Sequence, residues 1–194
     1  MGEIRAFIAI ELPDEVKNEL SEILYKLKPG REKAVKWVNP NSIHLTLKFL
    51  GNIPEERIVD ITHAIAKASS LTFPFNLELK GLGAFPNLKS PRVVWVGIGG
   101  DLPIITNLQR QIDQSLIPLG FSPEKRDFSP HLTLGRVRDK TSKNERYELG
   151  KTVESLEIPK SASFSADRFS LMQSTLTNNG AIYSQIEAFM LDRN

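Results

Sequence analysis

The tetrapeptide His-Leu-Thr-Leu occurs twice in this chain, at residues 44–47 and 131–134, and the copies start close to half of the 194-residue length apart. At average residue frequencies a second copy follows a given histidine by chance only about once in several thousand draws. A fold that houses both copies needs two similar places for them, so two like halves are expected. Side chains two apart share one face of a strand. In the first copy Ile43, Leu45, Leu47 and Phe49 should form an apolar face, with His44, Thr46 and Lys48 on the other. In the second, Leu132 and Leu134 should point inward while His131 and Thr133 project from the opposite side.

The rest of the chain supplies material for such halves. Residues 4–10 form an almost wholly apolar run, the mark of a strand covered on both faces. A helix opens at Pro13-Asp14-Glu15, carries Val16, Leu20, Ile23, Leu24 and Leu27 at helical spacing, and ends at Pro29-Gly30. An extended stretch at 36–38 and a turn at 39–41 lead to a strand over residues 43–50 that stops at Gly51-Asn52. A second helix is predicted from Pro54 to Ala68, then strands near 73–79 and 93–98 joined by a loop over 81–91. Asp101 opens a third helix that reaches Leu116, with Gly120 closing the region. Residues 132–137 read as a strand and 142–153 as a fourth helix. Strands near 163–173 and 182–190 flank a polar turn at 177–180, whose Asn and Gly tolerate positive φ. No linker or low-complexity tract divides the chain, so residues 1–194 are read as one mixed α+β domain with two lobes.

Composition narrows the chemistry. There is no cysteine, which excludes disulfides, a thiolate nucleophile and every zinc site that uses Cys. Three histidines without a His-Glu-x-x-His pattern do not form a dedicated transition-metal site, so neither a metal nor another cofactor is expected. No apolar run approaches the roughly 20 residues that span a bilayer, the N-terminus reads as a strand and not a signal peptide, and the cysteine-free composition fits a cytoplasmic protein, read as a monomer. The net charge of +2 says little, but its distribution says more. Lys26, Lys28, Arg31, Lys33, Lys36 and Lys48 surround the first tetrapeptide against Glu32 alone, and the second lies in a segment that is also basic on balance. Such local excess suits an anionic ligand.

Two strands that face each other with an imidazole beside a hydroxyl are suited to in-line displacement at phosphorus. A neutral imidazole takes a proton from the attacking oxygen, and an imidazolium protonates the leaving oxygen. Threonine hydroxyls donate to the nonbridging oxygens. A strained cyclic phosphodiester has a leaving group good enough to need no metal. Spacing alone leaves open which imidazole is acid and which is base. The third histidine, His63, lies in a predicted helix without such context and reads as a surface group.

These motifs and their flanks, Arg5-Ala6-Phe7-Ile8-Ala9-Ile10, Trp37, Lys48-Phe49-Leu50-Gly51, Gly83-Ala84-Phe85-Pro86, Pro91-Arg92-Val93-Val94-Trp95-Val96-Gly97 and Phe128-Ser129-Pro130, resemble the two-histidine phosphoesterase superfamily. Within it the chain is most similar to the RNA 2′,3′-cyclic phosphodiesterase branch, historically called the 2′-5′ RNA ligase family. The resemblance implies a bilobal α+β domain with two antiparallel sheets related by a pseudo-twofold axis, helices on the outer faces and an active-site cleft between the lobes. It implies His44 as proton donor, His131 as proton acceptor that activates water, and Thr46 and Thr133 as phosphate ligands. Arg136 matches a basic position that accompanies the second motif, although strict alternation puts it on the Leu132 face, so that reaching phosphate requires a twist, bulge or strand end. The implied substrate is RNA with a 2′,3′-cyclic phosphate end, opened to a 2′-phosphate, and some family members also join tRNA halves through 2′-5′ linkages. Two alternatives stay open from the residues alone: a noncatalytic RNA- or nucleotide-binding module in the same basic cleft, and a phosphodiesterase for a small cyclic nucleotide. Arg5 is read as either a cleft charge or a strand-edge ion pair. Trp37, Phe85 and Phe128 are read as core packing, with stacking on a base as the other option.

Overall fold

Among residues 2–158, 163–177 and 180–192, which the computed structural model describes, two motif-bearing units follow one another in the same order. The first is β1 (Glu3–Glu11), α1 (Asp14–Leu27), the short β2 (Val35–Trp37), β3 (His44–Pro54) and α2 (Ile58–Ser70). A hairpin of β4 (Phe75–Phe85) and β5 (Val93–Gly100) then begins the second, which continues through α3 (Leu102–Leu116), β6 (His131–Val137) and α4 (Lys143–Ser155). The chain closes with β7 (Phe164–Ala166), β8 (Arg168–Thr177) and β9 (Gly180–Met190). Strand, helix, motif strand, helix thus recurs as β1-α1-β3-α2 and β5-α3-β6-α4.

The strands form two antiparallel sheets, one ordered β3-β1-β8-β9 and the other β2-β6-β5-β4-β7. Each motif strand lies next to the strand that leads into its unit's first helix, β3 beside β1 and β6 beside β5, and β3 and β6 are in contact. The C-terminal strands divide between the halves: β7 joins the second sheet, whereas β8 and β9 complete the first.

One continuous apolar core fills the space between sheets and helices, including Ile8, Ile10, Leu20, Leu24, Leu45, Leu47, Ile61, Ile65, Ile105, Leu132 and Leu134. The apolar run in β1 has the predicted cause. Ile4, Ala6, Ile8 and Ile10 enter that core, while Phe7 and Ala9 point the other way into a small separate cluster with Met172 and Tyr183. The fourth helix has the strongest start signal: Ser142 Oγ accepts from the Glu145 amide and the Glu145 carboxylate accepts from the Ser142 amide. No described helix is long and apolar enough to cross a membrane.

Several sequence expectations shift. β3 continues past Gly51-Asn52 to Pro54, because pairing with the full length of β1 carries it on. The loop expected over 81–91 is half strand, since β4 runs through Phe85 opposite Val93. The single strand expected over 163–173 breaks at Asp167 into two strands of different sheets. The second helix begins with a 3-10 turn at Glu55–Arg57. At the polar turn over 177–180, Thr177 pairs with Gly180, and the two residues between them lie outside the described set.

Candidate active site

The two motif strands set their histidines in matching frames. The carbonyl of Ser42 lies 3.0 Å from His44 Nδ1, and that of Ser129 lies 2.7 Å from His131 Nδ1. A carbonyl only accepts, so Nδ1 carries the proton in both rings and Nε2 is left as the atom that takes up or releases a second one. Two residues on, Thr46 and Thr133 share the histidine faces, and neither hydroxyl has a hydrogen-bond partner among the described residues.

Each strand then breaks its alternation at the same step. In β3, Thr46 pairs with Ala9 and Lys48 with Ile8, so Leu47 is the extra residue of a bulge. In β6, Thr133 pairs with Trp95 and Gly135 with Val94, so Leu134 is the extra one. A bulge places two consecutive residues on one side and reverses every face beyond it. Arg136 therefore joins His131 and Thr133, as their partners Val93, Trp95 and Gly97 alternate along β5 without interruption. The strict-alternation placement of Arg136 on the Leu132 face is overturned by this bulge.

The same device corrects two residues of the first copy. Phe49, expected beside Leu47, is instead 60% exposed on the His44 face, its ring centroid 6.4 Å from that of Phe7. Lys48, expected on the open face, is 4% exposed. Its ammonium pairs with Asp113 at 2.5 Å, donates to the Ser122 carbonyl at 2.7 Å and lies 3.5 Å from Glu124. At the matching place in β6 stands Gly135, where a Cβ would come within 2.7 Å of Trp37 and Val35 side-chain atoms.

Matching frames sit in unlike surroundings. His44 stacks on Phe7 at 4.6 Å and 28° and lies nearly perpendicular to Tyr183 at 4.8 Å and 85°. Burial there pushes its pKa below the ordinary 6.5, and the bond to Ser42 pulls the other way without cancelling that. Glu11, directly opposite His44, accepts from Ser170 Oγ at 3.3 Å. The ring of His131 lies nearly perpendicular to Phe85 at 5.0 Å, with Trp95 at 6.3 Å. Trp95 occupies the space above Gly83, where a Cβ would stand 2.3 Å from its ring.

All five residues singled out from sequence, His44, Thr46, His131, Thr133 and Arg136, lie on the faces opposite the core, on the two strands that meet. Of the three aromatics weighed for stacking, Phe85 is at a histidine, whereas Trp37 and Phe128 pack against the core. Arg5 is exposed one step beyond Phe7 on the His44 face, opposite Asn52 and Ser174 in a central strand, and forms no ion pair among the described residues. His63 is exposed on α2. Phe7, Tyr183 and Trp95 also lie beside the histidines, outside the set expected there from sequence, and Phe49 lies beside Phe7. Phe7 had a signal, because its alternation with Arg5 and Ala9 opposes that of Ala6 and Ile8. No three His, Cys, Asp or Glu side chains gather as metal ligands among the described residues.

Known proteins resemble this chain in sequence and fold. The model of the LigT-like phosphoesterase family matches residues 10–95 and again 102–183, one motif in each segment. An RNA 2′,3′-cyclic phosphodiesterase from Methanothermobacter thermautotrophicus is 35% identical, with 97% of this chain and 99% of that protein covered. One of the same description from Thermotoga maritima is 36% identical, covering 93% and 91%. The crystal structure of a Thermus thermophilus protein superposes with a TM-score of 0.79 at 29% identity, covering 97% of this chain and 98% of that one. Escherichia coli LigT complexed with 3′-AMP superposes with a TM-score of 0.77 at 25% identity, covering 99% and 100%.

Proposed function

The chain belongs to the LigT-like phosphoesterase family, and we propose that it hydrolyses 2′,3′-cyclic phosphate ends of RNA to 2′-phosphates. The observation that carries this reading is the pair of imidazoles, each held through Nδ1 on a carbonyl and each beside a threonine hydroxyl, with neither Nε2 nor either hydroxyl engaged by another described residue. A pure binding module has no use for two such proton carriers. The curated relatives are described as RNA 2′,3′-cyclic phosphodiesterases, and the E. coli relative forms a complex with 3′-AMP.

In the proposed reaction His131 Nε2 accepts a proton from water as its oxygen attacks phosphorus. The bond from phosphorus to the 3′ oxygen breaks, and His44, protonated at Nε2, gives that oxygen its proton. The product is a 2′-phosphate with a free 3′-hydroxyl. Thr46 and Thr133 donate to the nonbridging oxygens, and Arg136 adds positive charge on the His131 side. Burial favours neutral His44, whereas the donor must be charged. The substrate supplies the remedy, because an anionic phosphodiester beside the ring favours the imidazolium. Once charged, a proton held at a depressed pKa is also released more readily. The groups named need no metal, and with the 5′-hydroxyl of a second RNA end in place of water the same displacement, again with the 3′ oxygen leaving, joins RNA ends, tRNA halves among them, through a 2′-5′ linkage.

The deciding experiment is product analysis of an RNA oligonucleotide ending in 2′,3′-cyclic phosphate, with EDTA present. A 2′-phosphate is expected. A 3′-phosphate as the sole product overturns the assignment of donor and acceptor, and turnover that requires an added divalent ion overturns the metal-free reaction.

A further inference from the structure

We propose that Lys36 and Arg136 form a second anion site, which holds the phosphodiester on the 5′ side of the RNA's terminal nucleotide. This rests on the hydrolase reading above, because a chain that ends in a 2′,3′-cyclic phosphate continues only toward its 5′ side.

The short edge strand β2 pairs with β6 in strict register: Val35 opposite Val137, Lys36 opposite Arg136, Trp37 opposite Gly135. Val35 and Trp37 turn to the core, so Lys36 turns to the other face and is exposed there. Arg136 reaches that face through the bulge at Leu134 and is exposed as well. Directly opposite residues hold their Cβ atoms about 4.5–5.5 Å apart, and like charges so placed destabilise a sheet. Neither cation has an ion pair or hydrogen bond with another described residue. The repulsion is left without a counter-charge on the face that also carries His131 and Thr133.

Distance distinguishes this site from the reacting phosphate. On β5, Gly97 stands opposite His131, Trp95 opposite Thr133 and Val93 opposite Arg136. Two residues of β5 separate the partners of Thr133 and Arg136, roughly 7 Å, and the strand of Lys36 lies about 4.8 Å beyond. Arg136, with its long side chain and five N–H donors, stands between the phosphate at the threonines and the anion at Lys36. Lys36 lies one strand farther out and serves only the second. A mononucleotide presents nothing to it; an oligonucleotide presents its next phosphodiester.

The test is Lys36→Ala, read by affinity and by turnover. Affinity is measured by fluorescence anisotropy of a 5′-labelled RNA about ten nucleotides long ending in a 2′-phosphate, across a salt series. Removal of Lys36 should weaken RNA binding by about 3–10-fold at low salt and lower the slope of log K against log salt by about 0.7, the value for one single-strand phosphate contact. Hydrolysis of a mononucleoside 2′,3′-cyclic phosphate should stay within about twofold of wild type, and Lys36→Arg should restore RNA affinity. A methylphosphonate at the last internucleotide linkage should cost wild type at least as much, and should cost Lys36→Ala, which keeps only Arg136 there, less than it costs wild type. Since the substitution removes a repulsion, the variant should melt at or above the wild-type temperature. Unchanged RNA affinity and salt slope overturn the inference, as does an equal fall for mononucleotide and oligonucleotide. Wild type that binds RNA through Lys36 but releases no 2′-phosphate sinks the hydrolase reading and leaves the anion site standing.

Discussion

Phe49 and Arg136 stand at the same step beyond their histidines, each turned onto the histidine's face by a bulge at the second leucine of its motif. Around them the two frames agree: a serine carbonyl on Nδ1, an Nε2 without a partner among the described residues, a threonine two residues on. Phe49 faces Phe7 across the sheet, while Arg136 faces Lys36. At this step one half of the matched site therefore carries an aromatic ring and the other a cation. A nucleotide is asymmetric in the same sense, with a flat apolar base and anionic phosphates. A twofold pair of imidazoles gives no direction to a reaction; the residues that break the twofold do.

Removal of either imidazole should abolish most turnover. His44→Gln and His131→Gln are each expected to lower kcat by about 10²–10⁴-fold, the range for one well-placed acid or base. Single-turnover rates on a cyclic-phosphate oligonucleotide check this, with circular dichroism to show that both variants fold. Wild-type rates in both folded variants would remove the two histidines from the mechanism.

The depressed pKa of His44 makes a statement about stability. Between the folded value and the ordinary 6.5, the unfolded chain binds the proton that the folded chain resists. Neutral His44 therefore contributes stability that is complete above about pH 6.5 and is lost as pH falls through the folded value. Urea midpoints of wild type and His44→Gln, followed from about pH 8 to pH 5, should draw together or cross as pH drops. Phosphate should oppose the wild-type loss, since an anion at the site stabilises the imidazolium. Parallel midpoints across that range would mean that burial of the ring does not govern its protonation.

The parts of the site that depend on strand period were legible in the sequence, and those that depend on interrupted period were not. His44, Thr46, His131 and Thr133 followed from alternation over four residues. Beyond Leu47 and Leu134 alternation misplaces Phe49, Lys48 and Arg136, because a bulge is a property of two paired strands and leaves no sign in either one alone. Lys48 reads as an open-face cation in a basic cluster that suits an anionic ligand. Its burial is intelligible only with Asp113, which α3 brings from far along the chain. Tyr183 reaches His44 because β9 joins the first sheet, an assignment that the two halves of the sequence leave undetermined.

The threonine hydroxyls should matter for rate and little for folding. Thr46→Val and Thr133→Val keep the branched shape and remove one donor each. A hydrogen bond to a charged group is worth about 1.5–3 kcal/mol, so kcat/KM should fall by about 10–150-fold per substitution, with melting temperature nearly unchanged because neither hydroxyl has a protein partner among the described residues. Loss of stability without loss of rate would relocate both threonines to a structural role.

Gly135→Ala tests the second bulge. The added methyl would meet Trp37 and Val35 at 2.7 Å, and overpacking of this kind costs about 1–3 kcal/mol. The strain falls on the residue next to Arg136 and on the β2–β6 pairing, so RNA affinity should drop together with stability. Chemical denaturation and RNA titration of the same variant check both. Retained affinity in a destabilised variant would show that Arg136 does not depend on the bulge.

Lys48 joins the strand of the first motif to the segment that leads into the second. Its ammonium meets Asp113 on α3 and the Ser122 carbonyl, and Asp113 also accepts from the Glu124 amide at 3.0 Å. Residues 122–124 are thus fixed from β3, a short way before the chain reaches Ser129 and His131. Lys48→Met should leave the Asp113 carboxylate nearly buried without its partner, at a cost of about 3–5 kcal/mol, whereas Lys48→Met with Asp113→Leu should recover much of that stability. Activity should separate from stability in the pair. The double variant, though folded, still lacks the tie from β3 to Ser122, so His131 loses its fixed approach and kcat falls while the mononucleotide KM changes little. Urea denaturation paired with steady-state kinetics of both variants decides the matter. A double variant with wild-type kcat would reduce Lys48 to a packing residue.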